Sequence, residues 1–282
     1  VRGSDEMKAR KKKLLLGDIL GGLFTFLIFL IPFIFMFITS IKDRREANLL
    51  RISLPESWHW ENYPEVIREN NYLLVRAFKN STILTIGTVV LLILICSMAG
   101  YVLQRRRDKK VSLMENLILI GLMAPPAILP TIWVMQSIHL YKTMVGMVLI
   151  EAALQIPFTV MLYKGYVATI PIELEEAGYM DGCSKMRLFS DIVFPLLKPV
   201  TATVVILDSV SIFNDFTNPL YFLPGNKYAT VQLTLYNFTG RYASSYNLLF
   251  ADVMLITIPM VILFLIFNKK IVDGMVAGSI KG

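Results

Sequence analysis

Cysteine, histidine and charged residues are all scarce in this chain of 282 residues. Its two cysteines, Cys96 in an apolar run and Cys183 in a polar loop, imply no disulfide framework. The two histidines, His59 and His139, are too few and too far apart for a usual metal cluster. Charged residues make up 17% of the chain, against about 25% in an average soluble domain. We therefore expect neither a disulfide-stapled domain nor a metal site.

Two further features are missing. No G-x-x-x-x-G-K-[S/T] stretch occurs, so the chain cannot bind ATP through a P-loop. Nucleic-acid binding is suggested only by the net charge of +7. The basic residues lie beside apolar runs, which is where a membrane protein carries them. We therefore expect no nucleic-acid partner.

Apolar residues are abundant, at 55% of the chain, and the mean hydropathy is +0.58. A hydrocarbon core of about 30 Å needs about 20 apolar residues in a helix. Six runs reach about that length: Ile19–Ile38, Ser81–Leu103, Asn116–Ile138, Met144–Tyr163, Val200–Leu223 and Leu248–Phe267. The sequence therefore predicts an all-α membrane protein with six transmembrane helices.

The distribution of Lys and Arg predicts which loops face the cytoplasm. With an internal N-terminus, the inside segments hold 18 of these residues and the outside segments hold 10. Because cytoplasmic loops carry the excess, both termini are expected inside the cell membrane. Residues 1–16 then form a cytoplasmic tail, 17–268 the membrane domain and 269–282 a second cytoplasmic tail. Residues 1–6 read as a cloning remnant, with Met7 as the natural start.

Two segments contain residues that are unusual in a simple membrane span or a simple loop. The third run contains Pro125, Pro126 and Pro130, which predict a kinked helix packed inside a bundle. This helix either lines a transport pathway or is kinked only so that it packs against its neighbours. The long outer segment between the first two runs carries Trp58 and Trp60. Amphipathic rings there form an interfacial belt or contact an external partner.

The loop at residues 166–198 is ordered like a helix–turn–helix. Pro171 can open a helix, and acids follow in its first turns, where the helix dipole favours them. Gly182 ends this helix, and Ser184 can cap a second one. Ala177 and Gly178 have almost no side chain, so another backbone could approach closely. The pattern favours docking into a cleft of a soluble partner over a simple linker.

The same residues resemble the EAA loop of ABC importer permeases. Glu176-Ala177-Gly178, three residues, Gly182, nine residues and then Ile192-Val193-Phe194-Pro195 match the spacing of that loop, and Asp181 matches its D-G pair. Gly178 and Phe194 depart from the usual Ala and Leu but keep the residue type. The residues that the resemblance implies for coupling to an ATPase are Glu176, Ala177, Gly178, Asp181, Gly182, Met186, Phe189 and Pro195.

Other stretches resemble the carbohydrate-type permeases, and closest is the shorter permease of maltose and oligosaccharide importers. These stretches are Asn62-Tyr63, Asn80-Ser81, Tyr101, Phe213-Asn214-Asp215-Phe216 and the glycines of the closing segment 274–282. The resemblance implies a type I importer permease fold and a non-enzymatic transport subunit. It also implies a second permease, two copies of an ATPase holding ATP and Mg, an external solute-binding protein, membrane lipid and a sugar substrate. No cofactor is expected on this chain.

Four acidic residues lie within or beside spans, namely Glu151, Asp208, Asp215 and Asp252. Charges at membrane depth tend to face cavities or partners. Asp208, Asn214, Asp215 and Asn218 are therefore candidates for lining a sugar pathway. The alternative is that Asp215 and Asn218 cap helices or bond within the bundle.

Competing functions remain open at this point. An ion-coupled secondary transporter would need repeat-related broken helices, and only the proline-rich run offers weak support. An amino-acid ABC permease shares the EAA-type loop. A membrane scaffold without transport would leave that loop unexplained.

Overall fold

A computed structural model describes residues 2–239 and 244–279. Within these residues the chain is helical, with one isolated β-bridge between Thr239 and Ser244. The long helices are α1 (Arg2–Ser40), α3 (Asn62–Arg105), α4 (Lys109–Met123), α5 (Ile128–Ser137), α6 (Met144–Val167), α10 (Lys198–Phe213) and α13 (Tyr246–Ser279). The short helices are α2 (Arg44–Asn48), α7 (Glu173–Met180), α8 (Lys185–Arg187), α9 (Phe194–Leu196), α11 (Thr217–Phe222) and α12 (Val231–Thr234).

Four described helices are long and apolar enough to cross a membrane: α1, α3, α6 and α13. The pair Lys185–Leu196 and Lys198–Phe213 passes the same test together, although it bends by 72°. Six spans were expected, so the exact count stays a prediction. The closing motif of residues 274–282 lies partly outside the described residues, as does part of each expected tail.

The kink predicted for the third run is a complete break of the helix. The chain forms α4 and α5 instead, of 15 and 10 residues, with a break between Met123 and Ile128. Pro125 and Pro126 lack backbone N–H groups, and Ala124 before them is extended, as residues before proline prefer. Pro130 is tolerated because it lies in the first turn of α5, where its N–H is not needed.

The expected fifth helix is also divided. Helix α10 ends at Phe213 and α11 begins at Thr217. Between them the carboxylate of Asp215 accepts backbone N–H bonds from Thr217 (2.9 Å) and Asn218 (3.3 Å). An acid that binds these N–H groups stabilises the new helix start, so the polar residues end one helix and begin the next.

The chain divides into two compact units, of which the first contains residues up to 68 and 235–255. Here the buried Asn62 donates to the carbonyls of Ser40 and Lys42, both at 2.9 Å, and accepts from Asn247 at 2.9 Å. Lys42 is fully buried and donates to the Arg51 carbonyl and to Ser53. The segment between α1 and α3 is thus held by buried polar contacts.

The second unit contains residues 69–234 and the chain from 256 onward. Its core lies where α3, α6 and α10 pack, around the buried Leu92, Val160 and Val204. At Gly100 of α3, a side-chain carbon would lie 2.6 Å from Cβ of Tyr163 and 2.8 Å from the Lys164 nitrogen. Only glycine permits so close a crossing of α3 and α6.

Candidate functional site

The segment after α6 forms the expected helix–turn–helix. Helix α7 ends in a Schellman arrangement, in which the N–H of Gly182 donates to Tyr179 and that of Cys183 donates to Gly178, both at 3.0 Å. Gly182 has φ +79°, a left-handed conformation that favours glycine, and it lies just after the end of α7, where the sequence predicts that the helix stops. The turn therefore depends on a residue without a Cβ.

The second half begins at Ser184, whose hydroxyl accepts from the Arg187 N–H at 3.4 Å. After the single turn of α8, residues Leu188–Val193 form a wide π-helical turn, and α9 follows. Such a turn accommodates a break in the usual bonding ladder, and here it precedes Pro195, which lacks an N–H. The chain then bends by 72° into α10.

The exposed face of this segment carries acids and small or apolar residues. Glu176 and Ala177 are exposed on α7, and Asp181 is exposed at its end. Met186 is 63% exposed, and Pro195 is exposed too. This combination leaves a backbone accessible between an acid and an apolar side chain, which is a surface that a groove on another protein can receive.

Gly178 does not belong to that face, so the expectation that it meets a partner directly is wrong. The residue is buried, and a Cβ there would lie 2.6 Å from Cδ1 of Ile192 and 2.7 Å from Cδ1 of Leu188. Adjacent positions on a helix point about 100° apart, so Ala177 faces outward while Gly178 faces the second half of the loop. Gly178 lets the two halves pack together.

Phe189 likewise points inward. It is half-buried, with its ring centroid 5.6 Å from that of Tyr101 and 6.0 Å from that of Phe194. Aromatic rings at these separations pack favourably. Phe189 thus attaches the second half of the loop to α3 instead of forming part of the exposed face.

Sequence reasoning missed the residue that ties the loop to the helices. Glu175 is buried, and its carboxylate accepts from Arg105 Nε at 2.7 Å and from the Tyr101 hydroxyl at 2.8 Å. Arg105 also donates to the Ile170 carbonyl at 2.7 Å. The sequence does show that both charges are available, since Glu175 is one of three acids in the first turn of α7 and Arg105 ends α3. Which acid turns inward depends on the helix phase, which composition does not reveal.

A cavity of about 620 Å³ lies beside this ion pair. Its walls come from the end of α3 and from both halves of the loop, and include Arg105, Glu176, Tyr179, Lys185 and Met186. Part of the exposed face thus borders an open space, as a docking surface requires.

Asp208 does not line open space within this chain, which corrects the expectation of a pathway position. It is 1% exposed on α10, and its carboxylate accepts from the Thr159 hydroxyl of α6 at 3.0 Å. A buried acid with a hydroxyl donor is a contact between two packed helices. The carboxylate of Asp208 therefore has a hydrogen-bond donor inside the chain.

The other three pathway candidates lie together where α10 ends and α11 begins. Asp215 caps α11 and also accepts from the Asn218 amide at 2.6 Å, so the capping alternative describes both residues. Asn214 is exposed and accepts from the Gln232 amide at 3.1 Å. Of the predicted pathway residues, only Asn214 is exposed. Among the described residues, no group of three His, Cys, Asp or Glu side chains could hold a metal ion.

The chain is similar to known transport proteins over most of its length. The family of the binding-protein-dependent transport system inner membrane component matches residues 93–276, which include the whole helix–turn–helix. The chain belongs to this family. This permease is 33% identical over 255 residues to the melibiose/raffinose/stachyose import permease protein MelC of Bacillus subtilis, covering 89% of this chain and 91% of MelC.

Further relatives agree. The multiple sugar-binding transport system permease protein MsmG of Streptococcus mutans is 31% identical over 260 residues, covering 90% of the permease and 93% of MsmG. A crystal structure of a bacterial ABC transporter that imports the acidic polysaccharide alginate contains a chain with a TM-score of 0.80 and 20% identity. That match covers 93% of the permease and 97% of the solved chain, so the importer permease fold is shared.

Several residues that resemble the carbohydrate-type permeases act as tertiary contacts. Asn80 donates to the carbonyl of Ala229 at 3.0 Å, and Ser81 accepts from the Val231 N–H at 3.0 Å. Tyr101 holds Glu175. The permease is therefore a multi-pass membrane protein whose family-like residues fasten its helices and loops to one another.

Proposed function

We propose that the permease forms, with a second permease, the membrane pathway for a sugar or oligosaccharide delivered by an extracytoplasmic binding protein. The observation that carries this proposal is the helix–turn–helix of residues 173–196, which exposes Glu176 and Ala177 while Glu175 is clamped to α3. Because this surface can dock on a partner and is also bonded to the spanning helix α3, a movement of the partner can be transmitted to α3.

The partner at this surface is an ABC ATPase, present in two copies that hold ATP and Mg. The permease itself is non-catalytic and binds no cofactor. ATP binding and the loaded binding protein each favour one of two conformations, so the pathway opens alternately to either side. The glutamate–arginine clamp makes α7 and the end of α3 move together during this change.

A sugar is the proposed cargo because the named relatives act on sugars. MelC is described as an import permease for melibiose, raffinose and stachyose, and MsmG belongs to a multiple sugar-binding transport system. The amide pair of the exposed Asn214 and the half-buried Gln232 supplies donors and acceptors suited to hydroxyl groups. This pair is our candidate for a contact with the sugar.

We further propose that both termini lie in the cytoplasm, which places the helix–turn–helix on the ATPase side. The 18-to-10 division of Lys and Arg supports this orientation. Helices α4 and α5 together act as the remaining crossing, broken at its prolines. Backbone breaks of this kind occur at membrane depth where neighbouring helices cover them.

The proposal is tested by purifying the complex that assembles around the permease and measuring sugar uptake into proteoliposomes. Uptake of radiolabelled raffinose should require ATP inside the vesicles together with the co-purified binding protein, and should persist when ion gradients are collapsed. Glu176→Ala should lower ATP hydrolysis stimulated by binding protein and sugar. Uptake driven by an ion gradient without ATP would overturn the importer assignment. ATP-driven uptake of amino acids alone would overturn the sugar assignment.

A further inference from the structure

A second, polar cavity of about 370 Å³ lies where α3 ends and α4 begins. Its charged walls are Arg106 and Arg107 from the connecting loop, Glu115 of α4 and Lys164 of α6. Gln104 and Ser112 add hydrogen-bonding groups. The volume falls within the range of about 300–1,000 Å³ that small-ligand sites occupy. This cavity is distinct from the 620 Å³ cavity beside the docking surface, although Arg106 lines both.

The side chains that line the cavity carry more positive than negative charges. Lys164 and Glu115 form an ion pair, so the only carboxylate among the lining residues already has a cation beside it. Arg106 contacts Asp108 at 3.1 Å, but both side chains are largely exposed, at 66% and 44%, and such pairs are weak. Two guanidinium groups therefore remain available to a ligand, and guanidinium geometry matches the oxygens of a phosphate.

An apolar surface continues from the cavity along α4. Ser112 and Glu115 line the cavity, and Leu119 and Leu122 follow them at helical spacing on the same face. Leu119 is 37% exposed and Leu122 is 48% exposed. At the cavity's base, Leu103 and Val111 are buried. A cationic recess thus opens onto an apolar strip that leads into the depth of the membrane.

We propose that this cavity binds the headgroup of an anionic phospholipid, with an acyl chain lying along Leu119 and Leu122. The phosphate accepts hydrogen bonds from Arg106 and Arg107, and the ion pair of Lys164 and Glu115 forms one wall. Basic recesses between helices at a membrane surface bind anionic headgroups in this way. The combination of positive charge and apolar strip favours a lipid, because a free phosphate ion has no apolar group that could contact the strip. This inference does not depend on the transported substrate.

The experiment titrates the detergent-purified complex with fluorescent phosphatidylglycerol and, separately, with phosphatidylcholine. The variant Arg106→Gln/Arg107→Gln removes two charges from the cavity wall. Lys109→Gln/Lys110→Gln is the matched control, because it removes two charges from neighbouring positions that do not line the cavity. We expect phosphatidylglycerol to bind the unmodified complex more tightly than phosphatidylcholine. The arginine variant should weaken phosphatidylglycerol binding about tenfold, and the control less than twofold.

Three results would overturn the proposal. Equal weakening in both variants would mean a diffuse surface charge instead of a site. Inorganic phosphate that competes as well as the lipid would mean an ion site without a lipid. Loss of the ATPase subunit from the arginine variant, with lipid binding retained, would mean a protein contact. If the arginine variant fails to assemble, Ser112→Trp tests the same point without a charge change. Its side chain would fill the cavity and should abolish preferential binding of phosphatidylglycerol.

Discussion

At the scale of single residues, two neighbours in the helix–turn–helix lie in opposite environments. Ala177 is exposed, whereas Gly178 is buried against Leu188 and Ile192. Both are small, and the sequence pattern treats them as one unit. In the structure, Ala177 leaves the backbone of α7 accessible on the outside, whereas Gly178 allows the two halves of the loop to pack on each other.

This difference predicts distinct outcomes for the same substitution. Gly178→Leu should destabilise the permease by about 1–3 kcal/mol, because its side chain collides with Ile192 and Leu188. Ala177→Leu should leave stability nearly unchanged and weaken attachment of the ATPase. Thermal unfolding of the purified complex measures the first effect, and co-purification of the ATPase measures the second.

A compensating change provides the control for this prediction. Ile192→Val removes the carbon atom that would lie nearest to a Cβ at position 178. It should therefore recover part of the stability lost in Gly178→Ala. If Gly178→Leu leaves the melting temperature unchanged but releases the ATPase, Gly178 faces the partner after all.

At the scale of helices, the ion pair of Arg105 and Glu175 joins the end of α3 to α7. Arg105 and Glu175 are 16% and 6% exposed, so water screens their attraction little. Removing one partner of such a pair costs about 3–5 kcal/mol, because the other charge stays buried and unpaired. The contact is well suited to hold two helices in a fixed relation.

We expect Glu175→Gln to lower the amount of sugar transported per ATP hydrolysed, while ATP hydrolysis itself continues. The charge-swapped pair Arg105→Glu/Glu175→Arg should restore part of the coupling. Recovery will be incomplete, because Arg105 also donates to the Ile170 carbonyl. Sugar uptake and phosphate release are measured together on the reconstituted complex. Their ratio gives the amount of sugar transported per ATP hydrolysed.

The matched control is Asp191→Asn, in the same loop. Asp191 pairs with Arg187 at 3.3 Å, but these side chains are 56% and 73% exposed. Exposed pairs contribute about 0–1 kcal/mol, so this variant should transport normally. If Glu175→Gln and Asp191→Asn transport the same amount of sugar per ATP hydrolysed, the contact between α3 and α7 does not couple ATP hydrolysis to transport.

At the scale of the whole molecule, orientation in the membrane is the property that awaits a direct test. Single cysteines at Lys109 and Asn226, both exposed positions, should react from opposite sides of the membrane. Cys183→Ser removes the partly exposed native thiol, and the buried Cys96 should remain silent. A membrane-impermeant maleimide should label position 226 in intact cells and position 109 only after permeabilisation. External labelling at both positions would contradict the proposed topology.

Much of the architecture followed from local chemistry. Long apolar runs predicted spanning helices because a bilayer admits few alternatives. The helix–turn–helix was also predictable, since Gly182 and Ser184 act on neighbouring backbone groups through local bonds. Proline positions indicated a kink, although they did not reveal that the chain separates into α4 and α5.

The acidic residues illustrate what sequence alone left open. Asp208 and Asp215 looked alike as acids near a span, yet one bonds to Thr159 of another helix and the other caps α11. Their partners differ because Thr159 is 49 residues away along the chain, whereas Thr217 is two residues away. A local contact can be read from spacing, but a distant one cannot.

The sequence by itself determined the class of protein, the approximate spans and the turn that presents Glu176 and Ala177. Those features depend on hydrophobic length and on bonds between near neighbours. Only the tertiary structure decided that Glu175 is the residue clamped to α3 and that Gly178 is buried. Both outcomes depend on how a short helix is rotated against elements about 70 and 10 residues away. That rotation is set by the packing of side chains on several elements at once, which no single segment encodes.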